Sequence, residues 1–293
     1  MHKYLRAVGF SEVETRQQYM SLAEKVVKES DKREYMTFGK SSLLTEFSKD
    51  IASDIGLRVC GELDDEDRFQ IDYCFPYLNG KVVSTQTSVN IDRHADKLSF
   101  AGVCEDNRLG ITIIFYLNNR LDYLRMLEND TFTFDSVPVS LSGLSLEGTI
   151  MMPIAVNPLA QKKAKASEKN RMKLLEAAKS GDEAAIETLT LEDIDTYSSI
   201  SKRIKKNDVF SLVSTYVMPF GVECDQYSVL GEIVDCKVVT NKITGEEIYR
   251  MLLKCNDILL DMCVNKKDVF GEPKIGRRYR GNIWLQARLD FKA

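Results

Sequence analysis

A chain of 293 residues with 44% hydrophobic and 29% charged side chains is long for one small core and too apolar to be disordered. No apolar run reaches the roughly 18–20 residues of a membrane span, and MHKYLRAVGFSEVETRQQ at the start lacks the apolar stretch of a signal peptide, so a cytoplasmic protein with no membrane partner is expected. The net charge of −4 weighs against a protein whose main partner is a polyanion, because nonspecific nucleic-acid affinity grows with the phosphates that lysine and arginine neutralise.

The first part, 1–156, reads as an α+β domain. Thr15 and Gln18 have capping-box spacing, and Tyr19, Leu22, Ala23, Val26 and Val27 then fall on one helical face. Strands are expected at GLRVCGEL, RFQIDYCFPYL, KVVSTQTSVNI, KLSFAGVC, GITIIFYLNN and VSLSGLSLEGTIMMPI. The short links LNG and EDNRLG suit hairpins, hence an antiparallel sheet with helices on a face.

From 157 to 221 the composition turns small, polar and basic and then alternates in charge blocks, which reads as a connector and a helical insert. Ser180, Gly181 and Asp182 look like a helix stop followed by a new cap. Thr190 with Asp193 should open a further helix, with Ile194, Tyr197, Ile200 and Ile204 along one stripe. LLEAAKSGDEAAIETL is similar to the helical hairpin of an ankyrin repeat, but nothing recurs near 33 residues, so a single hairpin is expected.

The last part, 222–293, is strand-rich. KITG is a hairpin turn between YSVLGEIVDCKVVTN and EEIYRMLLKCN; DILLDMCVN is a third strand, KKDVFGEP contains a helical turn, and RRYRGNIWLQARL is a long closing strand. A small β-barrel of OB-like kind is expected.

MHKYLRAVGF, CEDNRLGITIIFYLNN, GDEAAIETLTLEDIDTYSSISKRI and NKKDVFGEPKIGRRYRGNIWLQ together resemble a bacterial family, associated with anaerobic Gram-positive bacteria, that is classed only as a domain of unknown function. The resemblance spans nearly the whole chain. It implies a cytoplasmic bacterial protein of one multi-part architecture and brings no activity, ligand or catalytic residue with it.

The residues themselves offer little chemistry. The seven cysteines are odd in number and show no C-x-x-C pair, and most sit in apolar runs where a thiol behaves as a small hydrophobe. His2 and His94 are the only imidazoles, so neither a metal site nor a cofactor is expected. Gly39-Lys40-Ser41 resembles the end of a phosphate loop, but the glycine required five residues earlier is Glu34. Asp193 and Asp195 suit a helix start better than a phosphorylated strand end. Asp64 to Asp67 are four contiguous acids without the alternation and bend of a calcium loop. Glu105, Asp106 and Arg108 fit a hairpin turn. No G-x-S-x-G elbow is present, and the balance is against an enzyme.

Two functions follow. The first is a non-catalytic adaptor or assembly protein that binds protein partners through the insert and the barrel. The alternative is a single-stranded nucleic-acid binder using Arg278, Arg280, Trp284 and Arg288, which alternate onto one face of the closing strand. The other face, Tyr279, Ile283, Leu285, Ala287, Leu289 and Phe291, reads as core. Twelve basic against eleven acidic residues in 222–293 favour the adaptor.

Overall fold

Helix α1 (Arg16–Lys28) begins where the chemistry of Thr15 dictates. Its hydroxyl accepts from the Gln18 amide at 3.2 Å while Gln18 Oε1 accepts from the Thr15 amide at 2.9 Å, closing the capping box. Leu22, Ala23 and Val26, on one face, are buried. The computed structural model describes residues 2–38, 42–64, 68–94, 99–106, 108–129, 136–154, 167, 170–171, 173–192 and 213–291. The chain divides into two compact units, Met1–Met151 with Thr215–Ala293, and Met152–Ser214.

The first unit is mostly β with a few helices, an α+β arrangement. Strands β1 (Lys32–Phe38), β2 (Ser42–Ala52), β3 (Ile55–Leu63) and β4 (Phe69–Leu78) form an antiparallel four-stranded sheet in sequence order. A second sheet contains β5 (Thr85–Thr87), β6 (Val89–Arg93), β7 (Phe100–Asp106), β8 (Ile111–Leu117), β9 (Val137–Met151), β10 (Tyr216–Pro219), β11 (Gln226–Thr240), β12 (Glu247–Cys255), β13 (Ile258–Asn265), β14 (Val269–Phe270) and β15 (Arg278–Leu289). Its order is β10-β11-β12-β13-β9-β15-β8-β7-β6, with β5 and β14 on β9 and a further pairing of β11 with β15. The sheet is mixed: β13 and β14 run parallel to β9, and β15 runs parallel to β8. Helix α2 (Arg120–Asn129) links β8 to β9.

Several elements differ from the sequence reading. The KREYMTF and SLLTEFSKDIA strands were not expected, because charges interrupt their apolar alternation; β1 is an edge strand that leaves Tyr35 exposed. KVVSTQTSVNI is not one strand. It splits at Ser88, so that β5 pairs with β9 while β6 pairs with β7. By contrast, the Asp106 hairpin and the 3-10 turn at Lys266–Asp268 fall where the turn residues place them.

Two apolar clusters fill the unit. One gathers Phe115, Val139, Tyr227, Met251, Met262, Tyr279, Ile283 and Leu285. The other lies against the four-stranded sheet and gathers Leu5, Val8, Leu57, Val59, Phe75, Leu78, Tyr116 and Trp284. β15 contributes to both, so both of its faces are covered.

In the second unit, helical residues 173–179 and 183–192 are separated by Gly181 at φ 89°, and Asp182 Oδ1 caps the second stretch by accepting from the Ala184 and Ala185 amides at 3.0 and 3.2 Å. Thr190 is not a cap. It lies inside the second stretch, and its hydroxyl donates to the Ile186 carbonyl one turn back. Asp193, Asp195, Ile194, Tyr197, Ile200 and Ile204 lie outside the described residues, as do Gly39-Lys40-Ser41 and the acids 65–67.

Candidate functional site

The four residues expected to share an exposed face of β15 are found in different places. Trp284 is only 5% exposed and Arg278 only 7%, while Arg280 and Arg288 are exposed. Trp284 and Gln286 are buried because the second layer, β4 and the N-terminal segment, packs on what would have been the outer face; Gln286 Nε2 donates to Pro76 O and its Oε1 accepts from the Leu78 amide. Arg288 lines a polar cavity of about 180 Å³ with Arg58, Asp50 and Asp122. Arg280 lines a groove of about 1030 Å³ beside Lys3, Arg6 and Lys267. In that groove Arg6 is tied to Asp268 by two 2.7 Å hydrogen bonds.

Trp284 instead forms the floor of a recess of about 710 Å³, lined by His2, Lys3, Tyr4, Tyr19, Tyr73, Cys74, Phe75, His94, Ser99, Tyr116, Glu223 and Asp225. Its aromatic rings come from six separate segments. Tyr4 stacks on the indole at 5.5 Å and 23°, His2 lies 4.4 Å from it, Tyr116 5.1 Å, and Phe75 meets it edge-on at 6.4 Å. Aromatic pairs at these separations and tilts add about 0.5–1.5 kcal/mol each beyond their buried area, so the floor is rigid.

Polar bonds fix the walls. Tyr19 Oη donates to Cys74 O at 2.8 Å and accepts from the Cys74 amide at 2.7 Å, bolting α1 to β4. Tyr73 Oη accepts from Arg120 Nη1 at 2.8 Å. Trp284 Nε1 donates to Asp225 Oδ2 at 2.7 Å, and the Leu285 amide donates to Asp225 O, so the turn before β11 is held over the indole.

The rim is acidic. Burial pushes the Asp225 carboxyl above its ordinary value, the Trp284 bond opposes that, and Glu223 adds repulsion. Tyr4 is raised by burial and then by Glu223 and Asp225, and burial lifts Tyr19 to about 12, so both phenols stay neutral at physiological pH. Glu223, about two-thirds exposed, accepts from Gln226 Nε2 and lies 3.7 Å from Lys3 Nζ. Such a recess can hold a group with an apolar body and a positive end.

The recess wall carries Cys74 and Ser99 together with His94 and Asp225. Cys74, in its wall, is buried and its thiol is pushed up by that burial, which disfavours the thiolate. Among the described residues, no three His, Cys, Asp or Glu side chains are placed to hold one metal ion. Sequence reasoning missed the recess because its residues are scattered from His2 to Trp284. The available signal was aromatic: Tyr73 and Phe75 alternate along β4, and Tyr116 lies in the apolar run of β8.

The fold and the recess define a mostly β, α+β protein with an aromatic, carboxylate-rimmed pocket against its four-stranded sheet. The chain belongs to the family described as "Domain of unknown function, E. rectale Gene description (DUF3881)", whose family model matches residues 5–287. Comparisons with curated proteins and with solved structures returned no match. Among the described residues no helix is long and apolar enough to cross a membrane.

Proposed function

We propose that this is a non-catalytic cytoplasmic adaptor or assembly protein, and that it recognises a protein partner through the aromatic recess. The observation that carries the reading is the pairing of a rigid aromatic floor around Trp284 with the carboxylates of Glu223 and Asp225 at its edge. That combination suits a cationic side chain with an apolar stem and repels phosphate. The pairing path β11-β12-β13-β9-β15-β11 supports reading this part of the second sheet as a small closed barrel of OB-like kind, with β9 supplied from the first half of the chain.

Single-stranded nucleic acid is the weaker alternative. A strand-binding groove joins cations to exposed aromatic platforms, whereas Arg278 and Trp284 are buried and the recess is edged by acids. The full chain, immobilised and exposed to nuclease-treated lysate, is expected to retain a defined partner that the Glu223→Lys variant loses. Retention that depends on nucleic acid, or that Glu223→Lys leaves intact, overturns the reading.

A further inference from the structure

Lys3 stands at the mouth of the recess and already makes the contacts an incoming cation would make. Its Nζ lies 5.2 Å from the Tyr4 ring centroid, inside the roughly 6 Å range of cation–π attraction, and 3.7 Å from Glu223 Oε2. Tyr4 is stacked on Trp284, so the ring beneath the ammonium is held in place. We infer that the mouth of the recess is a binding site for an alkylammonium group, such as a lysine side chain of a partner, and that Lys3 is its built-in competitor. The inference rests on the recess being the recognition site.

The chemistry is selective. An anion placed there meets Glu223 and Asp225; a neutral alcohol or sugar leaves Glu223 without a counter-charge once Lys3 is displaced; an ammonium replaces Lys3 contact for contact. Displacement is easy, because the side chains of Lys3 and Glu223 are 50% and 64% exposed, and exposed ion pairs hold weakly. Lys3 therefore scales the apparent affinity by the fraction of time it leaves the site free, and removing it raises that affinity by the reciprocal of that fraction.

Trp284 is the only tryptophan, so its fluorescence in the full chain reports on the recess directly. The probe is n-butylammonium, titrated at constant ionic strength against butan-1-ol and butyrate as neutral and anionic controls. The wild-type protein is expected to bind butylammonium in preference to both controls. Lys3→Ala should tighten that binding by about three- to tenfold, Lys3→Arg should stay near wild type, and adding Glu223→Gln to Lys3→Ala should remove the gain. Equal affinity in wild type and Lys3→Ala, no butylammonium binding in either, or butan-1-ol or butyrate binding as well as butylammonium each overturns the inference. Unchanged thermal unfolding of each variant ties the result to the site. If Glu223→Lys abolishes partner retention but Lys3→Ala leaves butylammonium binding unaltered, the adaptor reading stands and only the alkylammonium assignment falls.

Discussion

The Trp284 indole donates its one N–H to the half-buried Asp225 carboxylate at 2.7 Å, and this bond fastens the turn before β11 over the aromatic floor. It also keeps a charge where burial disfavours one. Because burial raises the Asp225 carboxyl in the folded protein, its contribution to stability is fully present below the ordinary carboxylate pKa and is lost as pH rises through the higher folded value. Asp225→Asn retains an acceptor for Trp284 and removes the charge. Thermal unfolding at pH 7 should show the variant equal to wild type or more stable by less than about 1 kcal/mol, with the difference gone at pH 3, while butylammonium binding weakens. A clear loss of stability at pH 7 would mean that the ionised form is favoured by contacts other than the indole.

Glu46 bridges two cations in the interior. Arg120 Nε donates to Glu46 Oε1, Arg58 Nε lies 3.5 Å from Oε2, and the side chains of Glu46 and Arg120 are each 3% exposed. Glu46→Gln leaves two guanidiniums facing a neutral amide, and breaking a buried pair in this way costs about 3–5 kcal/mol. Removing both partners of the tightest pair, Glu46→Leu with Arg120→Met, should recover part of that loss, because Arg58 keeps its bonds to Ser48 and Asn118 O but still lacks its carboxylate. Urea unfolding of the single and double variants checks both statements; equal destabilisation of the two would show that shape, rather than stranded charge, sets the cost.

Local signals were legible in the chain and distant ones were not. The Thr15 capping box, the Gly181 stop with its Asp182 cap and the Asn241–Glu246 hairpin each depend on residues within a few positions of one another, and each forms as spaced. The core parity of β15 was equally legible, since Tyr279, Ile283, Leu285, Ala287, Leu289 and Phe291 are all buried. What period two does not tell is whether a polar face meets water or another layer. Arg278, Trp284 and Gln286 look like the exterior of a strand, yet their neighbours come from β4, β9, β11 and the N-terminal segment. The recess was hidden for the same reason: no short window contains two of its distant segments.

Asp106 and Arg108 carry a pH dependence of the opposite sign. Burial alone would raise the Asp106 carboxyl, but hydrogen bonds from Arg108, one at 2.9 Å from Nε to Oδ1, and from Thr85 hold it below the usual carboxylate range. A depressed folded pKa gives stability that is present above the ordinary carboxylate value and lost as pH falls through the folded one. Arg108 also donates to Ser84 O and Asp257 O, tying the hairpin to two other turns. Arg108→Ala should cost about 2–3 kcal/mol at neutral pH, and the gap to wild type should narrow in acid as Asp106 becomes protonated. Urea unfolding at pH 7, 5 and 3 measures it; a gap that does not change with pH would assign the cost to the two carbonyl bonds alone.

β9 sits between β13 and β15, pairing in parallel with the first from Ser142 to Ser145 and antiparallel with the second from Val139 to Met151. A fragment of residues 215–293 lacks it. Both flanking strands then expose unpaired backbone groups, and Tyr279 loses the Ser145 hydroxyl that its phenol donates to at 2.8 Å, with the Glu147 carbonyl 3.1 Å away. The approach of β9 is also close: a Cβ on Gly148 would lie 2.2 Å from Tyr279 Oη. In the full chain, Gly148→Ala should therefore cost about 2–3 kcal/mol by forcing the buried ring aside. The fragment should show no cooperative thermal transition and poor dispersion in its proton NMR spectrum, and a synthetic peptide spanning 137–151 should restore both. Cooperative unfolding of the fragment by itself would mean that its strands can close without β9, and the pairing order would then have to be redrawn around a β13–β15 contact.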